Sequence, residues 1–102
     1  MSNTNLEVAY TILQQLGGAR RLSLMTGARD FLGDGKSLTF RIGKNPRGAN
    51  KVRVTLDPSD TYTVEVFKIR GGTVKALGSA SDVYAEALVR NVESLTGLYL
   101  TL

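Results

Sequence analysis

The segment KVRVTLDPSDTYTVEVFKIRGGTVKAL, residues 51–77, carries the clearest structural signal in the chain. Apolar residues alternate with polar or basic ones in two runs, 51–56 and 61–66. Because successive side chains of a strand point to opposite faces, each run predicts a strand with one apolar face. The intervening Asp-Pro-Ser-Asp is typical of a type I turn, since Pro presets φ at the second position. We therefore expect an antiparallel hairpin.

The second strand of this hairpin loses its alternation at residues 67–70. Either a bulge shifts the register there, or Phe67 and Ile69 cover the opposite face of the sheet. Gly71-Gly72 then predicts a tight two-residue turn, because glycine adopts the positive φ that such turns require. Residues 73–77 would form the returning strand.

Two more strands are predicted before the hairpin. Residues 37–42 alternate apolar and polar side chains, and residues 20–25 place Leu22 and Leu24 on one face. Between them, 33–35 is a turn sequence and Phe31 is a candidate core residue. The resulting sheet has four to five antiparallel strands.

Helices are predicted at both ends of the chain. The first runs over residues 5–16, begins with a capping box between Thr4 and Glu7, and stops at Gly17-Gly18. Either Ser79 or Ser81 would cap the start of the second helix, which ends at Gly97. Each helix has an apolar stripe, formed by Leu6, Ala9, Leu13 and Leu16 in the first and by Tyr84, Leu88, Val92 and Leu95 in the second.

These elements predict one α+β domain spanning residues 1–102. The N-terminal and C-terminal helices should pack on one face of the antiparallel sheet, because its apolar side must be covered. The apolar tail, residues 98–102, is expected to dock on the sheet edge or the core, or else to bind a partner.

Composition argues against catalysis. The chain has no cysteine and no histidine, which removes thiolate sites, the usual general base and the commonest metal ligand. Gly35-Lys36-Ser37 resembles the end of a P-loop, but Asp30 stands where that motif requires glycine. We predict no enzyme activity, no catalytic residues, no cofactor and no metal site. Without a signal peptide or membrane-spanning run, we expect a cytoplasmic protein.

Positive charge is concentrated in the middle of the chain. The net charge is +4, and residues 20–75 contain 12 of the 13 Lys and Arg residues but 5 of the 9 Asp and Glu residues. Such a division favours either a phosphate-binding face or a solvated sheet surface that resists aggregation. The basic loop 43–50 is likewise either a flexible phosphate-contacting arm or an ordinary hairpin loop. The candidate nucleic-acid-binding residues are Arg41, Lys44, Arg47, Lys51, Arg53, Lys68, Arg70 and Lys75.

Three stretches of the chain resemble a family of small, uncharacterised proteins encoded by bacteriophages and other mobile elements. They are residues 16–31, from Leu-Gly-Gly to Met-Thr-Gly-Ala-Arg-Asp-Phe; residues 60–71, from Asp-Thr-Tyr to Lys-Ile-Arg-Gly; and residues 83–99, from Val-Tyr to Thr-Gly-Leu-Tyr. The family implies no activity and no functional residue that transfers to this chain. It implies a context of mobile-element DNA metabolism or interference with host defences.

The leading functional hypothesis is a non-enzymatic accessory protein of phage or mobile-element type. It would bind DNA or RNA through backbone contacts on the basic strands and the 43–50 loop. The alternative is a protein–protein interaction module, either an inhibitor of a host protein or a homodimer, that uses the tail or a sheet edge.

Overall fold

The computed structural model describes residues 4–100, with side chains from residue 6 onward. The predicted capping box therefore falls partly on a side chain, Thr4, that lies outside the described residues. The elements are α1 (Thr4–Gln15), α2 (Ala19–Thr26), β1 (Arg29–Asp34), β2 (Ser37–Arg41), β3 (Lys51–Leu56), β4 (Tyr62–Arg70), β5 (Thr73–Val83), a 3-10 turn (Ala85–Ala87) and α3 (Leu88–Thr96).

The five strands form one antiparallel sheet in the order β1-β2-β3-β4-β5, so each strand pairs with its neighbours in sequence. The predicted turn between β3 and β4 is present, with the Asp60 amide donating to the Asp57 carbonyl at 3.0 Å. Gly71 and Gly72 join β4 to β5 with φ of 55° and 84°. Both angles lie in the left-handed region, which explains why glycine occupies both positions.

The helices cover one face of the sheet, which confirms the predicted α+β class. α1 packs on β1 and β2, and α3 packs on β4 and β5. The core between the layers is fully buried and consists mainly of Ile12, Leu16, Leu22, Phe40, Val52, Val54, Val64, Val66, Leu88, Val92 and Leu100. Each such side chain contributes roughly 1.5–3 kcal/mol relative to an exposed one.

The strand predicted over residues 20–25 is wrong, because this segment forms α2. Leu22 and Thr26 are its buried residues, one helical turn apart, while Leu24 is 80% exposed. The Thr26 hydroxyl donates to the Leu22 carbonyl at 2.6 Å. Alternation of Leu22 and Leu24 suggested a period of two, but the segment follows the helical period set by Leu22 and Thr26.

The first strand lies further along the chain than predicted. β1 contains Gly33 and two aspartates, which have poor strand propensity, so its sequence gave little signal. A register shift lies between Arg29 and Leu32, where Asp30 adopts φ 57°. This bulge still allows Phe31 to pack on Phe40, with ring centroids 5.5 Å apart.

The last strand and the last helix also differ from the prediction. β5 continues to Val83, so Ser79 and Ser81 are strand residues and do not cap a helix. The 3-10 turn begins after Tyr84, which is 64% exposed and therefore not part of the core stripe. The strand predicted over residues 73–77 is present, but its continuation was not predicted because small and polar residues follow Leu77.

Three further predictions concerned the apolar stripe of α1, the C-terminal tail and the side chain of Phe67. In the predicted stripe of α1, Ala9 and Leu16 are buried and Leu13 is partly buried, whereas Leu6 is 59% exposed. Ile12 is also fully buried. Leu100 is fully buried and Leu98 packs partly buried against the core, whereas Tyr99 is 74% exposed. The tail therefore docks through Leu98 and Leu100, and residues 101–102 lie outside the described residues. Phe67 pairs with Lys51 in a continuous β3–β4 register and so lies on the outer face, as one of the two alternatives predicted. The other alternative, a register shift, is present on the opposite edge of β4, between Val66 and Phe67 in the pairing with β5.

Candidate anion-binding surface

The fold separates charge along the sheet. One end of the sheet adjoins loop 43–50 and the β4–β5 turn, and we call it the basic end. It holds one carboxylate, Asp30, and eight cations. The cations are Arg29, Arg41, Lys44, Arg47, Lys51, Lys68, Arg70 and Lys75. The opposite, acidic end holds Asp34, Asp57, Asp60 and Asp82 with Lys36. Antiparallel pairing produces this separation, because it brings residues far apart in sequence to the same end of the sheet.

On the outer face, which no helix covers, three cations stand side by side. Arg29 pairs with Arg41 across β1 and β2, Arg41 pairs with Lys51 across β2 and β3, and Lys51 pairs with Phe67. Directly opposed like charges destabilise a sheet by a few tenths of a kcal/mol to about 1 kcal/mol. Within the part of the chain that the structure describes, none of these three cations forms an ion pair with a carboxylate.

Arg53 differs from these three cations because it forms an ion pair within the protein. Its Nε donates to Glu65 Oε1 at 3.0 Å, from the directly opposite position on β4. Its guanidinium also lies over the Phe67 ring, 5.1 Å from the centroid. Arg53 is therefore held in place and partly compensated, in contrast to Arg41 and Lys51.

A cleft of about 500 Å³ opens at the basic end, between loop 43–50 and the end of β4. Four cations line it: Arg29 from β1, Lys44 from the loop, and Lys68 and Arg70 from β4. Lys68 and Arg70 share the parity of Val66 on β4, and both are exposed. Among the described residues that line the cleft, none carries a carboxylate.

The loop that forms one wall of this cleft, residues 43–50, is extensively hydrogen-bonded. The Asn45 side chain accepts from the Ala49 amide at 3.1 Å and donates to the Gly43 carbonyl at 2.9 Å. The Asn50 amide group bonds to both the N–H and the carbonyl of Ile69, each at 2.8 Å. These bonds extend the β3–β4 pairing into the loop, so the prediction of a flexible arm does not describe this segment.

Both helix ends near the loop also constrain it. The Gly43 amide donates to the Thr26 carbonyl at the end of α2, at 2.8 Å. Pro46 packs on Gly97 so closely that a Cβ built at Gly97 would lie 2.9 Å from Pro46 Cδ. Because Gly97 also has φ 77°, any other residue there would be strained and would displace the loop.

The structure thus brings together some of the sequence-predicted site residues and separates others. Lys44, Lys68 and Arg70 meet in the cleft, and Lys75 lies directly across from Lys68 on β5. Arg47 is exposed on the loop and does not line the cleft. Sequence reasoning missed Arg29, because its place in the site depends on a strand that the sequence did not reveal.

At the acidic end, the polar groups are engaged in the turn itself. The Thr63 hydroxyl donates to Asp57 Oδ2 at 2.7 Å. Burial raises the pKa of the Tyr62 hydroxyl, and the nearby carboxylate of Asp60 raises this pKa further, while the Gln15 side chain lowers it. Within residues 4–100 no group of three or more carboxylates is arranged to hold a metal ion.

A second surface feature is apolar. Leu6, Tyr10 and Leu13 of α1 lie beside Leu38 and line an open groove of about 410 Å³. Leu6 and Tyr10 are 59% and 62% exposed. The groove is shallow and contains Glu7 as its charged residue.

Comparison of the chain with protein-family models, curated proteins and solved structures finds no match. No helix between residues 4 and 100 has the length and apolar character needed to cross a membrane.

Proposed function

We propose that this protein binds nucleic acid through the phosphate backbone at the basic end of its sheet. One observation carries the proposal: eight cations gather at that end with Asp30 as their single acidic neighbour among the strands and their connections. Phosphate contacts supply most of the affinity in sequence-independent binding, and clustered Lys and Arg are their usual source.

Cross-strand repulsion supports the same function. Arg29–Arg41, Arg41–Lys51 and Lys68–Lys75 are all directly opposed like-charge pairs. A polyanion lying along the basic end would neutralise these pairs, so part of the binding free energy would come from relief of repulsion already present in the free protein.

Backbone contacts, rather than base readout, fit the surface chemistry. Phe67 lies on the outer face, but its ring is covered by the Arg53 guanidinium and is only partly exposed. Base stacking usually requires several accessible aromatic rings. Binding should therefore depend weakly on sequence.

The test is fluorescence anisotropy with labelled single-stranded and double-stranded oligonucleotides across a salt series. We expect affinity to fall steeply between about 50 and 200 mM salt, because each phosphate contact releases counterions. Absence of binding at low salt to either form would overturn the proposal.

The biological setting we propose is that of a cytoplasmic, non-enzymatic accessory protein of a phage or mobile element. It rests on the resemblance of residues 16–31, 60–71 and 83–99 to that family. Location of the gene outside any phage or mobile element would contradict this setting without affecting the binding proposal.

A protein–protein interaction module is the second candidate, and the apolar groove on α1 is the observation that favours it. The tail is the weaker surface, because Leu100 is buried in the core. Leu6→Ser with Tyr10→Ser should abolish self-association or host-protein binding while the domain stays folded. Sedimentation showing a monomer at all concentrations would exclude the homodimer form of this candidate.

A further inference from the structure

The cleft at the basic end differs in shape from the outer face. The outer face is a flat row of side chains on neighbouring strands, whereas the cleft is concave and lies between loop 43–50 and the end of β4. A concave site surrounds one group, while a flat row contacts successive groups of an extended ligand. The two surfaces therefore suit different parts of the same nucleic acid.

The charge in the cleft exceeds what one phosphodiester needs. Arg29, Lys44, Lys68 and Arg70 converge there from three segments, and no carboxylate lines the cleft among the described residues. An internal phosphodiester carries a single negative charge, but a phosphate monoester carries about −1.5 to −2 near pH 7 and has three strong acceptor oxygens. The charge of a phosphate monoester therefore matches the four cations of the cleft better than the charge of a phosphodiester does.

The size of the cleft also suits a terminal group. Its volume of about 500 Å³ is that of a site for one small ligand. A terminal nucleotide has a chain attached on one side only, so it can enter such a cleft while the rest of the strand leaves toward the outer face. An internal nucleotide would have to pass through with chain on both sides.

The walls of the cleft are fixed before any ligand binds. The side-chain amides of Asn45 and Asn50 are engaged with the backbone, and Pro46 is packed on Gly97. A preorganised wall reduces the ordering cost of binding. Since both Asn amides are occupied, they are not available to read base edges, and recognition in the cleft depends on charge.

We propose that this cleft holds the terminal phosphate monoester of a nucleic-acid strand, while Arg41 and Lys51 contact the phosphodiesters that follow. This inference rests on the proposed function. The chemistry is shared by a 5′-phosphate and a 3′-phosphate, and the experiment separates them.

The test compares three otherwise identical oligonucleotides, with a 5′-phosphate, with a 3′-phosphate, or with hydroxyls at both ends. Binding is measured by anisotropy of an internal label at constant salt. We expect one phosphorylated form to bind about tenfold more tightly, as one or two added charge-assisted hydrogen bonds would produce. The favoured form identifies which end enters the cleft.

Two variants locate the effect. Lys44→Gln with Lys68→Gln should remove the preference for the phosphorylated end, while the outer-face control Lys51→Gln should weaken all three oligonucleotides by the same factor. Circular dichroism and thermal unfolding verify that both proteins fold, which is expected because Lys44 and Lys68 are exposed.

The experiment distinguishes failure of the terminal-phosphate inference from failure of the proposed function. Equal, salt-dependent binding of all three oligonucleotides would overturn the terminal-phosphate inference and leave the proposed function standing. A preference that survives in the Lys44→Gln, Lys68→Gln variant would overturn the assignment to the cleft. No binding of any oligonucleotide at low salt would overturn both.

Discussion

The two ends of the sheet use charged residues in different ways. At the acidic end, Asp57 accepts from Thr63, and the four-residue turn closes on itself through Asp60. At the basic end, neutral groups such as Asn45 and Asn50 hold the connection together, and the cations project from it. The difference indicates that the Asp57 carboxylate helps to hold the acidic turn, whereas neutral amide side chains, and not the cations, hold the connection at the basic end.

The largest expected effect is on the free energy of unfolding. It compares the side-chain hydrogen bonds of loop 43–50 with those of the turn at the acidic end. Asn50→Ala removes two hydrogen bonds to the Ile69 backbone and should lower the free energy of unfolding by about 1–3 kcal/mol. Urea denaturation measures it. Asp57→Ala, which loses the hydrogen bond from Thr63, is the control and should cost less. An equal or smaller cost for Asn50→Ala would mean that the loop is not held by this side chain.

The next prediction compares Arg41, which has no carboxylate partner among the described residues, with Arg53, which pairs with Glu65. Arg41→Gln should weaken oligonucleotide binding about tenfold and reduce the salt slope by about 1, because it removes a direct phosphate contact. Arg53→Gln is the matched control on the neighbouring strand and should leave the slope nearly unchanged, since Arg53 already pairs with Glu65. Anisotropy across a salt series measures both. If the two variants behave alike, pairing with Glu65 does not determine which cations bind.

The third prediction concerns Tyr62, at the acidic end, and the stability of the protein in alkaline solution. The pKa of Tyr62 is raised above its ordinary value of 10.0 by burial, so the folded protein favours the neutral phenol. Its contribution to stability is present in full below the unfolded pKa and is lost as pH rises through the higher folded pKa. Tyr62→Phe should flatten the decline in unfolding free energy above about pH 10, measured by urea denaturation at a series of pH values. An unchanged alkaline decline in Tyr62→Phe would assign it to other groups.

The smallest effect tests the repulsion at the basic end directly. Lys75→Gln removes a cation opposed to Lys68 and should raise the free energy of unfolding by about 0.2–1 kcal/mol at low salt. Lys36→Gln, a change of the same type at the acidic end, should give no gain. Thermal unfolding at low and high salt measures both, and the gain should shrink as salt screens the repulsion. A Lys75→Gln protein no more stable than the parent would show that the cross-strand repulsion is negligible.

The success of sequence reasoning varied with the strength of the local signal. β2, β3 and β4 were predictable because their side chains alternate with a period of two and their turns contain Pro or Gly-Gly. β1 and the second half of β5 were missed because glycine, aspartate, serine and alanine give no such pattern. These two edge strands are held by pairing with stronger neighbours, so tertiary context overrides their propensity.

The candidate site was only partly predictable for the same reason. The sequence identified the cations of β2, β3, β4 and the loop, because those elements were recognised. It missed Arg29, and it did not distinguish Arg53, whose pairing with Glu65 depends on the register between β3 and β4. It also left open whether loop 43–50 is a flexible arm or an ordinary hairpin loop, because the anchors of this loop, Ile69 and Gly97, lie far along the chain.

The sequence by itself determined the α+β class, the central hairpin, the turns and the excess of positive charge, because each of these follows from local patterns or composition. Only the tertiary structure decided that the cations gather at one end of the sheet and the carboxylates at the other, and that a cleft forms among the cations. Strand register and the packing of the loop against two helix ends set that arrangement, and both depend on contacts between residues distant in sequence.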